Sequence, residues 1–191
     1  MKFLTLLLVF FSCGIMLAQT APATPTPMGR VEVLARLVGT SNEVTKSYRV
    51  ERLVRQRGLS FKPTDDYLQT VKSAGGLEPL LEALRAAGQS ARQGQSSTPQ
   101  VDATPGNDSE TLSHLVRGIE LWDQHSFNDA AKELRAALEI EPDNVYLHLS
   151  LATMLLNKRD HKAAVEECRK AIQLQPECAD AHMELARYWT T

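Results

Sequence analysis

The chain has 191 residues, of which 43% are hydrophobic and 23% are charged, and its formal net charge is -2. This length allows one or two small domains and excludes a large enzyme barrel. The balanced charge excludes the global basic surface of a nucleic-acid-binding protein. The three cysteines are too few for a disulfide-stabilised scaffold.

The amino terminus has the pattern of a secretory signal peptide. A short basic start precedes an apolar stretch over residues 3–18, and small residues follow. We predict a signal peptide over residues 1–23, cleaved after Ala18 or Ala23, and a Pro/Thr linker over residues 24–29. The apolar stretch is short for a membrane-spanning helix. A retained anchor and a buried core helix are the alternatives.

A functional signal would place the mature chain outside the cytoplasm, in the periplasm or secreted, or anchored to the membrane if the signal is not cleaved. Cys13 lies inside the apolar stretch, where a lipoprotein signal could use it. Phe10 and Phe11 are bulky at positions where such signals carry smaller side chains. We therefore interpret Cys13 as part of the apolar stretch and keep lipidation as the alternative.

Residues 30–87 are predicted to form a small bundle of four helices, because apolar residues recur at helical spacing between glycine breaks. The predicted helices end near Gly39, Arg57, Gly75 and Ala87. Thr64 is a candidate cap for the third helix.

Four basic residues recur at every third position of the second helix: Lys46, Arg49, Arg52 and Arg55. This spacing spreads them into a broad band. The band could contact anionic lipid headgroups or an acidic protein face. A solvated surface with no partner is the alternative, and export of the chain would exclude nucleic acid.

Residues 88–109 are rich in Gly, Ser, Pro and Gln, which predicts a disordered linker. The segments on either side differ in charge: residues 30–87 carry +3 and residues 109–191 carry -5. The two could attract each other, although salt would screen the effect.

The carboxy-terminal segment, residues 110–191, matches itself at a shift of 34 residues. Gly118 aligns with Ala152 and Ala186, and Pro142 aligns with Pro176. A fixed period of this length indicates stacked helix–turn–helix units. The predicted units are 111–144, 145–178 and a partial unit 179–191, with helices over 111–124, 127–140, 145–158, 161–174 and 179–189.

These units resemble the tetratricopeptide repeat (TPR), whose 34-residue signature is W-x2-L-G-x2-Y…A-x3-F…P. The matching residues are Gly118, Leu121, Ala130, Leu134 and Pro142 in the first unit, and Leu151, Ala152, Leu155, Ala164, Cys168 and Pro176 in the second. The expected fold is all-α: a signal peptide, a small helical bundle, a flexible linker and a short α-solenoid of two full repeats plus a final helix. Residues 49–88 also resemble a small helical module of acidobacterial TPR proteins, which implies a bacterial envelope setting.

TPR proteins usually bind peptides in a concave groove lined by the first helix of each unit. Mapped onto this chain, the groove residues are Leu112, Leu115, Ile119, Trp122, Tyr146, Leu149, Thr153, Leu156, Met183 and Arg187. An apolar groove suits an amphipathic helix or an extended apolar peptide. The alternatives are that the chain itself covers these residues or that they are core. A rival function is self-assembly, with Trp189 at the open end stacking on another copy.

The sequence contains no GxSxG, HExxH, P-loop or GxGxxG motif, so we predict a non-enzymatic protein without catalytic residues or cofactor. His114, His148 and His182 recur at the repeat period. Equivalent atoms of stacked helices lie about 10 Å apart, too far to share a metal. We therefore predict packed or half-exposed side chains and no metal site. Cys168 and Cys178 are predicted to be thiols, with a disulfide as the alternative.

Overall fold

A computed structural model describes residues 26–38, 43–94 and 105–189. The predicted signal peptide, Cys13 and residues 95–104 of the predicted linker lie outside these ranges. The helices are α1 (Arg30–Ala35), α2 (Glu43–Arg57), α3 (Asp65–Ser73), α4 (Glu78–Gly94), α5 (Pro105–Asp123), α6 (Phe127–Ile140), α7 (Val145–Asn157), α8 (His161–Leu174) and α9 (Ala179–Trp189). Within the described ranges the regular structure is helical, and a single β-bridge joins Met28 to Leu59. None of these helices is long and apolar enough to cross a membrane.

The amino-terminal module forms four helices, but three of its predicted boundaries differ. Helix α1 ends at Ala35, before the predicted end near Gly39. Met28, assigned to the linker over 24–29, is fully buried, because its backbone pairs with residues on both sides of Leu59 and brings its side chain into the core. Helix α4 continues past Ala87 to Gly94. Gly88 lies inside this helix, where a Cβ would lie 2.6 Å from Cδ of Pro63. The glycine allows the loop before α3 to pack against α4.

The predicted cap of α3 is confirmed. The Thr64 hydroxyl oxygen accepts a hydrogen bond of 3.2 Å from the Tyr67 amide. Gly75, one residue past the C-cap of α3, has a φ of 85°, which a residue with a Cβ would adopt only with strain.

Helices α5 and α6 form the first helical hairpin, and α7 and α8 form the second. Gly118 allows the first pair to approach closely, because a Cβ at this position would lie 3.4 Å from the Ala130 carbonyl oxygen. The turns within the two hairpins are equivalent: His125 and Arg159, 34 residues apart, both have a φ of 63°. Helix α5 begins at Pro105, six residues before its predicted start, inside the segment predicted to be a linker.

The two modules share one hydrophobic core. Helix α1 packs against α5 and α7, and its Val33 and Leu34 are fully buried in the same cluster as Leu115 and Leu151. Each such side chain contributes about 1.5–3 kcal/mol through its burial. The amino-terminal module is therefore packed on the repeat units.

Candidate protein-interaction surface

The first helices of the three repeat units are α5, α7 and α9, and α1 lies across the first two of them. Its side of the contact is apolar, with Val31, Val33, Leu34 and the following Leu37 all buried. A hydrogen bond of 3.3 Å from the Ser150 hydroxyl to the Ala35 carbonyl oxygen joins the end of α1 to α7. The chain thus places its own helix over the first two units of the predicted groove.

The predicted groove residues divide into three groups. Leu115 and Ile119 are buried in the core that contains α1. Leu149 is buried in a second cluster with Cys168, Cys178 and Ala181, between the second and third units, and Thr153 is also buried. The partly buried residues are Leu112, Trp122, Tyr146 and Leu156, and the exposed residues are Met183 and Arg187. In this conformation a partner could reach only the partly buried and the exposed residues of this set.

A buried polar network fastens α1 in place. The Glu32 carboxylate accepts hydrogen bonds from Arg36 at 3.0 Å and from Arg57 of α2 at 2.6 and 3.2 Å. Arg36 also pairs with Asp180 at the start of α9, and its guanidinium lies 4.9 Å from the centre of the Tyr146 ring. The network therefore links the amino-terminal module to the second and third repeat units.

The charges in this network shift two pKa values. Burial alone would lower the pKa of Arg36, but the Asp180 and Glu32 carboxylates outweigh it and raise the pKa. Burial raises the pKa of Tyr146, and the nearby Glu32 carboxylate adds to the effect. Arg36 thus remains charged, and Tyr146 remains neutral at physiological pH.

An open cavity of about 560 Å³ remains between α2 and the third unit. We call it the α2–α9 cleft and define it by Arg49, Arg52, Leu53, Tyr146, Glu177 and Met183, which are among its lining residues. Met183 is 54% exposed and offers an accessible apolar side chain in this lining. The cleft is the accessible continuation of the groove that α1 fills.

The predicted basic band does not form one surface. Lys46 is half-buried beside Trp122 and Asp123, on the side that faces α5. Arg55 pairs with Glu51 at 2.8 Å. Arg49 and Arg52 are exposed and form no ion pair within the described part of the chain. Their side chains therefore remain available to an external ligand.

The recurring histidines are hydrogen-bonded to residues that also recur. Nδ1 of His114 lies 2.7 Å from Glu133, and Nδ1 of His148 lies 2.7 Å from Glu167, each pair 19 residues apart. Nε2 of His182 lies 2.7 Å from the Pro176 carbonyl oxygen. No group of residues suited to metal binding occurs among the described residues. Glu133 and Glu167 were not among the predicted site residues, although their 34-residue spacing signals them.

The remaining site predictions concern the cysteines and Trp189. Cys168 and Cys178 are both buried in the thiol form, so the predicted thiol state agrees with the structure. The side chain of Trp189 lies outside what the structure describes, and the stacking proposed for it stays a prediction.

Comparison with known families identifies the repeat region. Residues 115–177 match the tetratricopeptide repeat family. No curated protein and no solved structure matches the chain. The chain therefore carries a TPR region within an all-helical described fold. TPR repeats generally mediate protein–protein interaction, and TPR domains are typically non-catalytic.

Proposed function

We propose that this chain is a non-enzymatic protein–protein interaction protein of the bacterial cell envelope. Its partner, a peptide or a helix, binds at the open end of the concave TPR groove, in the α2–α9 cleft. The observation that supports this proposal is the contrast along the groove: α1 covers the first two units, whereas Met183 on the third unit stays exposed.

Binding in the cleft requires no displacement of α1. Val33 and Leu34 are fully buried, and removing both from the groove would forfeit roughly 3–6 kcal/mol of apolar burial before any partner contact forms. The cleft already offers apolar surface on Met183 and Leu53 beside the guanidinium of Arg49. An amphipathic peptide with an apolar anchor and an acidic flank would complement it.

The binding test compares two exposed apolar residues that line different cavities. The chain from residue 24 onward is crosslinked to envelope proteins beside a Met183→Glu variant and a Leu174→Glu control. Leu174 is an exposed residue of α8 that lines a different cavity, formed with α6. We expect partners that the parent chain and the control both capture and that Met183→Glu loses. Equal capture by all three chains would contradict binding in the cleft.

The envelope location is supported by the amino-terminal sequence pattern of a basic start, an apolar stretch and small residues. Amino-terminal sequencing of the protein from a periplasmic fraction tests it. We expect the mature chain to begin at Gln19 or Thr24. Recovery of the intact chain from the cytoplasm would contradict export.

Self-assembly is the second candidate, and the open flank of α9 favours it. Helices α5 and α7 each pair with a second helix of their unit, whereas α9 contacts α8 and α7 within the described part of the chain. A second copy could cover this flank. Analytical ultracentrifugation should then show an oligomer that dissociates on dilution and is absent in Met183→Glu. A monomer at every concentration would exclude this candidate.

A further inference from the structure

Helix α2 has two contrasting faces. Ser47, Val50 and Val54 are buried against the amino-terminal module. The opposite face carries Val44, which is 46% exposed, and Tyr48, which is 55% exposed. These two side chains lie one helical turn apart, so they form a small exposed apolar patch on the outer face of α2.

Basic side chains continue this outer face. Val44, Tyr48 and Arg52 follow one another at intervals of four residues, and Arg55 lies three residues after Arg52, so the four form one stripe. We call it the α2 stripe. Glu51, the acidic residue beside it, is mostly buried and is held by Arg55. The stripe therefore presents apolar, aromatic and positively charged groups together.

We propose that the α2 stripe binds the surface of an anionic lipid bilayer. Apolar and aromatic residues beside arginines are the composition of a helix that lies at a membrane interface. The apolar side chains would enter the headgroup region while the guanidinium groups contact lipid phosphates. Because the whole chain has a net charge of -2, attraction to an anionic bilayer has to come from a local surface.

The path of the chain also leads to α2. Arg57, near the end of this helix, donates a hydrogen bond of 2.6 Å to the carbonyl oxygen of Thr26. The apolar stretch over residues 3–18 ends eight residues earlier, a distance of at most about 29 Å in extended chain. A retained signal would thus hold α2 near the membrane, and a cleaved signal would leave the stripe as the attachment. This argument rests on the export in the proposed function.

The test uses the chain beginning at Thr24, which retains every described residue. It measures the fraction of this chain that sediments with lipid vesicles. We expect binding to vesicles of phosphatidylglycerol and phosphatidylcholine in equal parts, and none to pure phosphatidylcholine. A free arginine should contribute about fivefold, and Glu51 already offsets part of the Arg55 charge, so Arg52→Gln with Arg55→Gln should weaken binding by about 5- to 25-fold. High salt should act in the same direction. Tyr48→Ser should weaken binding at every salt concentration, since its contribution is apolar.

The control removes the same charge elsewhere. Arg135 and Lys162 are exposed on the repeat units, and Arg135→Gln with Lys162→Gln should leave vesicle binding unchanged. Equal loss in this control would overturn the proposal, as would failure of the parent chain to bind anionic vesicles at low salt. Equally tight binding to polyglutamate that is insensitive to Tyr48→Ser would assign the stripe to an acidic protein. Circular dichroism verifies that each variant is folded.

Vesicle binding can fail independently of the proposed function. Met183→Glu should lose its protein partner and keep its affinity for vesicles, because Met183 lies outside the stripe. Partner capture that survives in the Tyr48→Ser chain, whose changed residue lies outside the cleft lining, without vesicle binding by the parent chain, would refute the stripe and leave the cleft intact. Export is judged separately by the amino-terminal sequence of the periplasmic protein.

Discussion

Glu32 is an acidic side chain in the interior, only 5% exposed, and it neutralises two partly buried arginines. Replacement by Gln keeps the shape but removes the charge that Arg36 and Arg57 share. Breaking a buried ion pair is costly because the remaining charge lacks compensation. We expect Glu32→Gln to lower the free energy of unfolding by about 2–4 kcal/mol in urea titrations.

The matched control for Glu32 is Glu51→Gln. It removes a carboxylate from an i,i+4 pair with Arg55, whose side chain is 58% exposed. Such pairs contribute less than about 1 kcal/mol. If both variants lose the same free energy of unfolding, the network around Glu32 does not hold α1 in place.

Glu167 gives the second repeat unit a stability that depends on pH. Burial alone would raise its pKa, but hydrogen bonds from His148 and Lys170 outweigh burial and lower the pKa. The carboxylate therefore stabilises the fold fully above its unfolded pKa of about 4.3. This contribution is lost as the pH falls through the lower folded pKa. Glu167→Gln should accordingly show a shallower loss of stability below about pH 4.3 than the parent chain.

The experiment for Glu167 is urea unfolding at a series of acidic pH values. Glu166→Gln is the neighbouring control, because Glu166 pairs with Arg169 on an exposed surface. An acid slope of Glu167→Gln that equals those of the parent and the control would show that the His148 contact does not lower the pKa.

At the scale of helices, two glycines with different surroundings provide a direct comparison. A Cβ at Gly118 would lie 3.4 Å from the Ala130 carbonyl oxygen, and the second unit carries Ala152 at the equivalent position. We expect Gly118→Ala to change the free energy of unfolding by at most about 1 kcal/mol, since the gain in helix propensity offsets the tight contact. Chemical denaturation measures the change.

A Cβ at Gly76 would lie 2.6 Å from Val71 Cγ1 and 2.7 Å from the Val71 carbonyl oxygen. The backbone between α3 and α4 would have to shift, so Gly76→Ala should cost about 1–3 kcal/mol. If Gly76→Ala left the free energy of unfolding unchanged, the space around each glycine would not determine the cost of adding a Cβ. The same would follow if Gly118→Ala cost as much as Gly76→Ala.

The bounds of the repeat helices could be predicted closely because two periods constrain them together. Helical spacing marks the buried positions, and the 34-residue shift repeats the same turn residues, so α6, α8 and α9 begin and end as expected. Helix α4 had no second copy to compare. Gly88, which resembles a helix end in the sequence, lies inside α4 against Pro63, a residue 25 positions earlier that the glycine meets only in the folded chain.

At the scale of the whole molecule, the sequence could indicate an apolar groove but not its occupant. A partner helix, the chain's own α1 and a plain core all demand the same apolar residues at Leu115 and Ile119. The charge difference between the modules favoured docking only weakly. One contact of this arrangement, the ion pair of Arg36 with Asp180, joins two residues that no local pattern relates. Predicting the cover of the groove would have required knowing which long-range pairs form.

Because α1 contributes to the core of the repeat units, we expect the two modules to unfold together. In a Trp189→Phe variant, Trp122 is the remaining tryptophan, and it packs against the core that contains α1. Its fluorescence and the helical circular dichroism should follow the same urea transition. The fragment over residues 105–191 should be less stable than the chain from residue 24 by several kcal/mol, since it loses the burial that Val33 and Leu34 provide. Two separate transitions, or a fragment that unfolds at the same urea midpoint as the longer chain, would show that α1 rests on the groove without stabilising it. A partner could then displace α1 at little cost.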